Sequence, residues 1–160
     1  MVTPIKKFHL IAGKLLPYLI YAFIQLAVII KLAQIIFSIN FAGSYWTLYF
    51  ISALFLFTTI GIGLIVSTLS QTQQQALFLS WFFMVFSSML SGFFIPIPNM
   101  PEWLQIVTYL NPMRYMMTSM RELFLKGTPL RYLLDQIIPL AVLGTALFAI
   151  SVMKFQKKLK

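Results

Sequence analysis

The sequence predicts an all-α integral membrane protein, with four transmembrane helices plus two short external or re-entrant helices, in a single transmembrane domain over residues 1–160. Three observations lead there. Hydrophobic residues make up 60% of the chain and charged residues 9%, with a mean hydropathy of +0.89. From Leu32 to Pro101 there is no Lys, Arg, Asp or Glu, a stretch that no water-soluble domain could present to solvent. The apolar runs are continuous rather than alternating, which favours helices over a barrel, the two ways of satisfying backbone polar groups in lipid. At about 20 apolar residues per crossing, the apolar mass supplies about four spans.

Each element follows in order. Lys6, Lys7 and Lys14 precede the first apolar run, and Lys154, Lys157, Lys158 and Lys160 follow the last. Positive charge marks the cytoplasmic side, so both ends read as cytoplasmic and the span count is even. Residues 1–14 form a cytoplasmic helix: Thr3 caps it, Pro4 suits its first position, and Ile5, Phe8, Ile11 or Ala12, and Leu15 make an apolar stripe. The first span covers about residues 15–37, with Lys31 able to snorkel from its outer end. Tyr45, Trp46 and Tyr49 form an aromatic belt opening the second span, which runs to about Ser67 and carries Gly61 and Gly63 as small packing residues. STLSQTQQQ is a polar cytoplasmic turn. The third span covers about residues 76–94 and the fourth about 133–153, where Pro139 is expected to kink the helix.

Between the last two spans, residues 96–130 read as external. Pro101 opens a short amphipathic helix over 101–110, with Trp103, Ile106, Val107 and Leu110 at i, i+3, i+4 and i+7. Asn111 caps a second helix over 112–126, Pro112 takes its first position, and Lys126 and Gly127 close it. Its apolar stripe is Met113, Met116, Met117, Met120 and Phe124. At roughly 15 and 22 Å, both helices are shorter than the roughly 30 Å hydrocarbon layer, so they lie on the outer leaflet or re-enter it. Arg114 and Arg121 share a face, read either as a solvated face opposite the methionines or as shaping an outer exit, and Glu122 pairs with Lys126 at i, i+4.

Composition excludes several functions. The chain has no Cys and a single His9, so disulfides, thiolate catalysis and a His-based metal site are not expected, and no metal ligands are assigned. A net charge of +9 would suggest nucleic acid in a soluble protein; here the bases flank the spans, and nucleic acid is not an expected partner. No G-x-x-x-x-G-K-[ST] occurs, so ATP and its Mg²⁺ are not held by this chain. The second and third spans hold no ionisable group that could couple transport to an ion gradient. No catalytic motif is present, although Glu102, Glu122, Asp135, Arg114 and Arg121 leave room for a small external acid–base site. No cleavable signal peptide is expected, since no small-x-small site follows the first apolar run.

The run GFFIPIPNMPEWLQIVTYLNPMRYMMTSMRELFLKG, together with VTPIKKFHLIAGKLLPY and STLSQTQQQA, resembles type 2 ABC transporter permeases of the bacterial drug-export kind over nearly the whole chain. Pro98 stands where members often carry an acidic residue. Members usually have six spans and a large external domain, so the resemblance implies a C-terminal portion or a truncated reading frame. It also implies a permease subunit of an exporter in the bacterial inner membrane, dimerising with a second copy or homologue and driven by a separate ATPase subunit. Pro4, Ile5, Lys6, Lys7, Phe8 and His9 would then form the coupling helix that docks on that ATPase. On residues alone, the same helix reads equally as a basic anchor on anionic membrane lipid. The resemblance places the pathway at the dimer centre, with Phe82 and Phe86 of the third span as wall or gate residues, and Asn111, Pro112, Arg114, Arg121 and Glu122 in the external helices. A four-span scaffold or accessory subunit is the alternative.

Overall fold

The computed structural model describes residues 7–38 and 41–157, without the side chains of residues 7–12, 14–15, 152 and 154–157. The chain divides into two compact units, Met1–Phe41 and Ala42–Lys160.

Among its described residues the first unit holds one helix, α1 (Lys7–Phe37), of 31 residues. At 1.5 Å per residue it is about 46 Å long, well beyond the hydrocarbon thickness of about 30 Å. Its apolar part, Leu16–Phe37, is long enough to cross a membrane. The described part of the expected cytoplasmic segment and the first span therefore share one helix, with Pro17 inside it. Ser38 ends it at φ 52°, in the left-handed region.

The second unit holds α2 (Tyr45–Leu69), α3 (Gln73–Met89), α4 (Glu102–Thr108), α5 (Pro112–Lys126) and α6 (Leu134–Lys157), with single 3-10 turns at Ile97–Asn99 and Leu130–Leu133. Among the described residues there is no strand. Among the described residues three stretches are long and apolar enough to span: Leu16–Phe37, Tyr45–Leu69 and Leu130–Ser151.

The expected third span stands apart from these, because α3 stops at Met89 rather than continuing to Phe94. The reason is local. Ser91 Oγ donates to the Ser88 carbonyl at 2.6 Å and accepts from Phe93 N–H at 3.1 Å. Gly92 then turns the chain at φ +79°, a conformation open to glycine and costly for other residues. The apolar run Phe93–Ile95 is thus not helical. At its other end, α3 starts inside the polar turn, at Gln73, ahead of the apolar run. Thr72 Oγ1 accepts from Gln75 N–H at 3.2 Å while Gln75 Oε1 accepts from Gln71 N–H at 2.9 Å, a reciprocal cap.

The unit is built around α2 and α6, which share its most extensive contact, with α5 packed against both and α3 against α2 and α5. Two glycines allow the α2–α6 approach. A Cβ on Gly61 would lie 3.2 Å from the Phe148 backbone nitrogen, and one on Gly144 would lie 2.6 Å from Thr58 Oγ1. Small residues at such crossings let backbones close in and gain van der Waals contact, the main attraction available in lipid. Thr58 is fully buried there and donates to the Leu54 carbonyl at 2.8 Å, while Phe57 and Phe148 pack with ring centroids 5.1 Å apart. Gly61 is the small packing residue expected from sequence; a Cβ on Gly63 would meet nothing within 4 Å, and Gly63 instead borders a cleft. Pro139 lies inside α6.

Candidate functional site

Chemistry-bearing side chains gather where the end of α3 meets α4 and α5. Asn111 is the junction. Its Oδ1 accepts from Met113 N–H at 3.1 Å, capping α5, and its Nδ2 donates to the Ser87 carbonyl in α3 at 2.7 Å. Pro112 at the first helical position has no N–H to leave unpaired and is itself buried. At the far end Gly127 adopts φ +63° and its N–H reaches the Glu122 carbonyl. A Cβ on Gly127 would come within 2.7 Å of the Ala42 carbonyl, so both conformation and space demand glycine. The bounds of α5 are those expected from its Asn-Pro start and Lys-Gly stop.

The buried face of α5 is not the methionine stripe. Pro112, Tyr115, Ser119 and Leu123 are buried, whereas Met113, Met116, Met117, Met120 and Phe124 are half-exposed. Tyr115 donates its hydroxyl to the Tyr109 carbonyl at 2.8 Å, and burial raises its pKa above the ordinary 10.0. The α4 helix ends at Thr108, short of the expected residue 110, and the expected stripe turns outward: Trp103 and Ile106 of α4 and Leu110 in the turn beyond it are 67%, 68% and 73% exposed.

The two arginines tie segments together. Arg114 Nη1 donates to the Gln105 carbonyl at 3.2 Å and to Thr108 Oγ1, and its guanidinium lies 3.9 Å from the Tyr109 ring centroid. It thereby satisfies a carbonyl at the end of α4, where intrahelical partners run out. Arg121 Nη2 donates to the Gly92 carbonyl at 3.3 Å, fixing α5 to the turn after α3. Arg114 is half-buried and bonds a carbonyl and a hydroxyl of α4, whereas Arg121 is exposed, as a solvated face requires, with one bond to the Gly92 carbonyl. Glu122 accepts from Lys126 Nζ at 2.6 Å and from Thr128 Oγ1 at 3.0 Å. The Lys126 bond, then that of Thr128, holds its carboxyl below the ordinary 4.5.

A cleft of about 350 Å³ opens between α2 and α3, roofed by Met113 of α5. Phe55, Thr59, Ile62 and Val66 line it from α2, and Ser80, Phe83 and Ser87 from α3. Thr59 Oγ1 donates to its own helix at Leu56 O, 3.0 Å away, and Ser88 Oγ to Met84 O at 2.8 Å. These bonds engage the Thr59 and Ser88 protons within their own helices, and with Phe55, Ile62, Val66, Phe83 and Met113 the lining is mainly apolar and suits a hydrocarbon or aromatic group. These residues escaped the sequence reading, although Ser80, Ser87 and Ser88 at helical spacing were a signal of one small, weakly polar face. Phe82 and Phe86 do not line the cleft; their rings stack 5.8 Å apart on an exposed face of α3.

Pro4, Ile5 and Lys6 lie outside the described residues, as do the side chains of Lys7, Phe8 and His9, whose backbone belongs to the first turn of α1. Among the described residues no cluster of His, Cys, Asp or Glu could hold a metal.

A family model described as ABC-2 type transporter matches residues 1–125. The probable multidrug ABC transporter permease YbhR of Escherichia coli is 32% identical over 158 residues, 99% of this chain and 43% of that protein. YbhS, a probable multidrug ABC transporter permease of the same organism, is 34% identical over 151 residues, 93% of this chain and 37% of that protein. The linearmycin resistance permease protein LnrN of Bacillus subtilis is 28% identical over 116 residues, 72% of this chain and 30% of that protein. The chain thus spans about two-fifths of the length of YbhR and YbhS. No solved structure is a significant match.

Proposed function

Because the chain belongs to the ABC-2 type transporter family, we propose that it is the C-terminal membrane portion of the permease subunit of an ATP-driven exporter. A separate ATPase subunit supplies the energy, and two permease copies or homologues form the pathway by alternating access in the bacterial inner membrane. The observation that carries this reading is similarity to named permeases along 99% and 93% of the chain. That the sequence holds no G-x-x-x-x-G-K-[ST] is in keeping with a separate ATPase subunit.

On this reading α3 is a fourth, short span. Its 17 residues make about 25 Å, at the lower limit for a crossing. Both ends of the chain are then cytoplasmic, and α4 and α5 are external. The segment containing Pro4, Ile5, Lys6, Lys7, Phe8 and His9 is the coupling helix. The exposed Phe82–Phe86 pair contributes to the pathway wall, and the substrate is hydrophobic or amphipathic, in keeping with the apolar helix faces.

The test is co-purification of the complete permease with its ATPase, followed by transport in proteoliposomes. Burying a Phe side chain contributes about 1.5 to 3 kcal/mol, so Phe8→Asp is expected to release the ATPase and stop transport while membrane insertion persists. Retention of the ATPase by Phe8→Asp, with binding of the segment to anionic vesicles lost on replacing Lys6, Lys7 and Lys14, would instead assign the segment to lipid anchoring.

A further inference from the structure

A second cavity, of about 150 Å³, lies between the turn after α3 and one face of α5, lined by Ser91, Gly92, Pro96, Pro98, Thr118 and Arg121 among others. No carboxylate lines it. The acid next in sequence, Glu122, is engaged by Lys126 and Thr128, and Lys126–Glu122 is the one ion pair among the described residues. The Gly92 carbonyl takes one of the five guanidinium donors of Arg121. The hydroxyl protons of Ser91 and Thr118 go to the carbonyls of Ser88 and Arg114 at 2.6 and 2.9 Å, so recognition in this cavity rests on Arg121. In the chain between Gly92 and Pro96, which both line the cavity, Phe93, Phe94 and Ile95 are exposed apolar side chains.

A cation in a carboxylate-free cavity beside exposed apolar side chains matches a ligand with an oxyanion head and a hydrocarbon body. We propose that this cavity binds the phosphate group of an amphiphile, held by Arg121 with its apolar part against Phe93, Phe94 and Ile95. Guanidinium suits this role because its planar fork pairs with two phosphate oxygens at once. The same head-group chemistry is offered by a membrane lipid and by free inorganic phosphate; the exposed apolar residues between Gly92 and Pro96 favour the lipid. This site is separate from the α2–α3 cleft and does not depend on what is exported.

The test is native mass spectrometry of the complete protein in detergent, titrated with phosphatidylglycerol, with inorganic phosphate as competitor. Arg121→Gln is expected to weaken binding about tenfold or more, the usual scale for losing a charged hydrogen bond. Pro98→Glu, which puts a carboxylate into the same cavity from a 3-10 turn, is expected to weaken it comparably without removing Arg121. Arg121→Lys should bind between the two extremes, and Arg131→Gln, outside the cavity, should bind as the parent does. If millimolar phosphate displaces the lipid from the parent, the head group alone is recognised. If it does not, the lipid is the ligand. Should Arg121→Gln fail to fold, Pro98→Glu carries the test. Parental affinity in Arg121→Gln and Pro98→Glu alike overturns the proposal.

Discussion

Asn111 donates to the Ser87 carbonyl at 2.7 Å with the same amide group whose oxygen caps α5. One buried side chain thus sets both where α5 begins and how it is attached to α3. Neither half of the interaction substitutes for the other, and the two can be separated by mutation.

Asn111→Ala removes both bonds and leaves a buried carbonyl and an N–H unpaired, a loss of about 2 to 4 kcal/mol from capping and desolvation together. Asn111→Asp still caps but cannot donate to Ser87, and it sets a carboxylate oxygen against a carbonyl. It is expected to be at least as destabilising as Asn111→Ala, measured as thermal unfolding in detergent. An Asn111→Asp protein as stable as the parent would show that the link to Ser87 contributes nothing.

The α2–α6 crossing makes a sharper case. Gly144→Ala drives a Cβ to 2.6 Å from Thr58 Oγ1, overpacking that typically costs about 1 to 3 kcal/mol. Thr58→Ala removes the obstacle, so the double variant should recover a good part of that loss, a coupling that unfolding of all three variants measures as a double-mutant cycle. Gly63→Ala is the control: with nothing within 4 Å, it should be neutral or slightly stabilising. Equal losses at Gly63 and Gly144 would argue against close packing at this crossing.

Glu122 makes local stability pH-dependent. Its folded pKa lies below the ordinary 4.5 because Lys126 and Thr128 bond the carboxylate. The stabilisation is therefore fully present above the unfolded value and is lost as pH falls through the lower folded value. Amide exchange across residues 122–128 should accelerate, after correction for intrinsic rates, as pH drops below about 4.5. In Glu122→Gln that pH dependence should vanish. The effect should be small and weaken with salt, because Lys126 is 67% exposed.

What was legible from sequence was mostly local chemistry. The bounds of α5 follow from Asn111-Pro112 and Lys126-Gly127, because caps act over a few residues and need no tertiary context. The same reasoning missed the end of α3, where Ser91 and Gly92 stop a helix that hydropathy alone would extend through Phe94. Faces were harder. Polar–apolar periodicity identifies a buried side when water is the alternative, but in lipid an apolar stripe is as content facing outward, as Trp103, Ile106 and Leu110 do. The inward face of α5 combines Tyr115, Ser119 and Leu123, chosen by fit and hydrogen bonding rather than hydropathy. Spacing puts Arg114 and Arg121 on one face, but it does not reveal that the partners of Arg114 come from α4 and that of Arg121 from the turn at Gly92.

Topology gives the final prediction, and α3 decides it. With α1, α2 and α6 crossing and α3 not, Gln73 and Glu102 would lie on the same side of the membrane; with α3 crossing, they lie on opposite sides. Both residues are exposed, and the sequence contains no Cys, so single cysteines at these positions report without background from this chain. In intact cells a membrane-impermeant maleimide should label Glu102→Cys directly, and Gln73→Cys only after permeabilisation. The short length of α3, about 25 Å against a hydrocarbon layer of about 30 Å, is accommodated by local thinning or by packing against α2. Lengthening the helix is therefore not required, and the exposed Phe93–Ile95 run is free to sit at the interface. Labelling of both positions from outside, or of neither, would refute the four-span arrangement, and with it the external placement of α4 and α5.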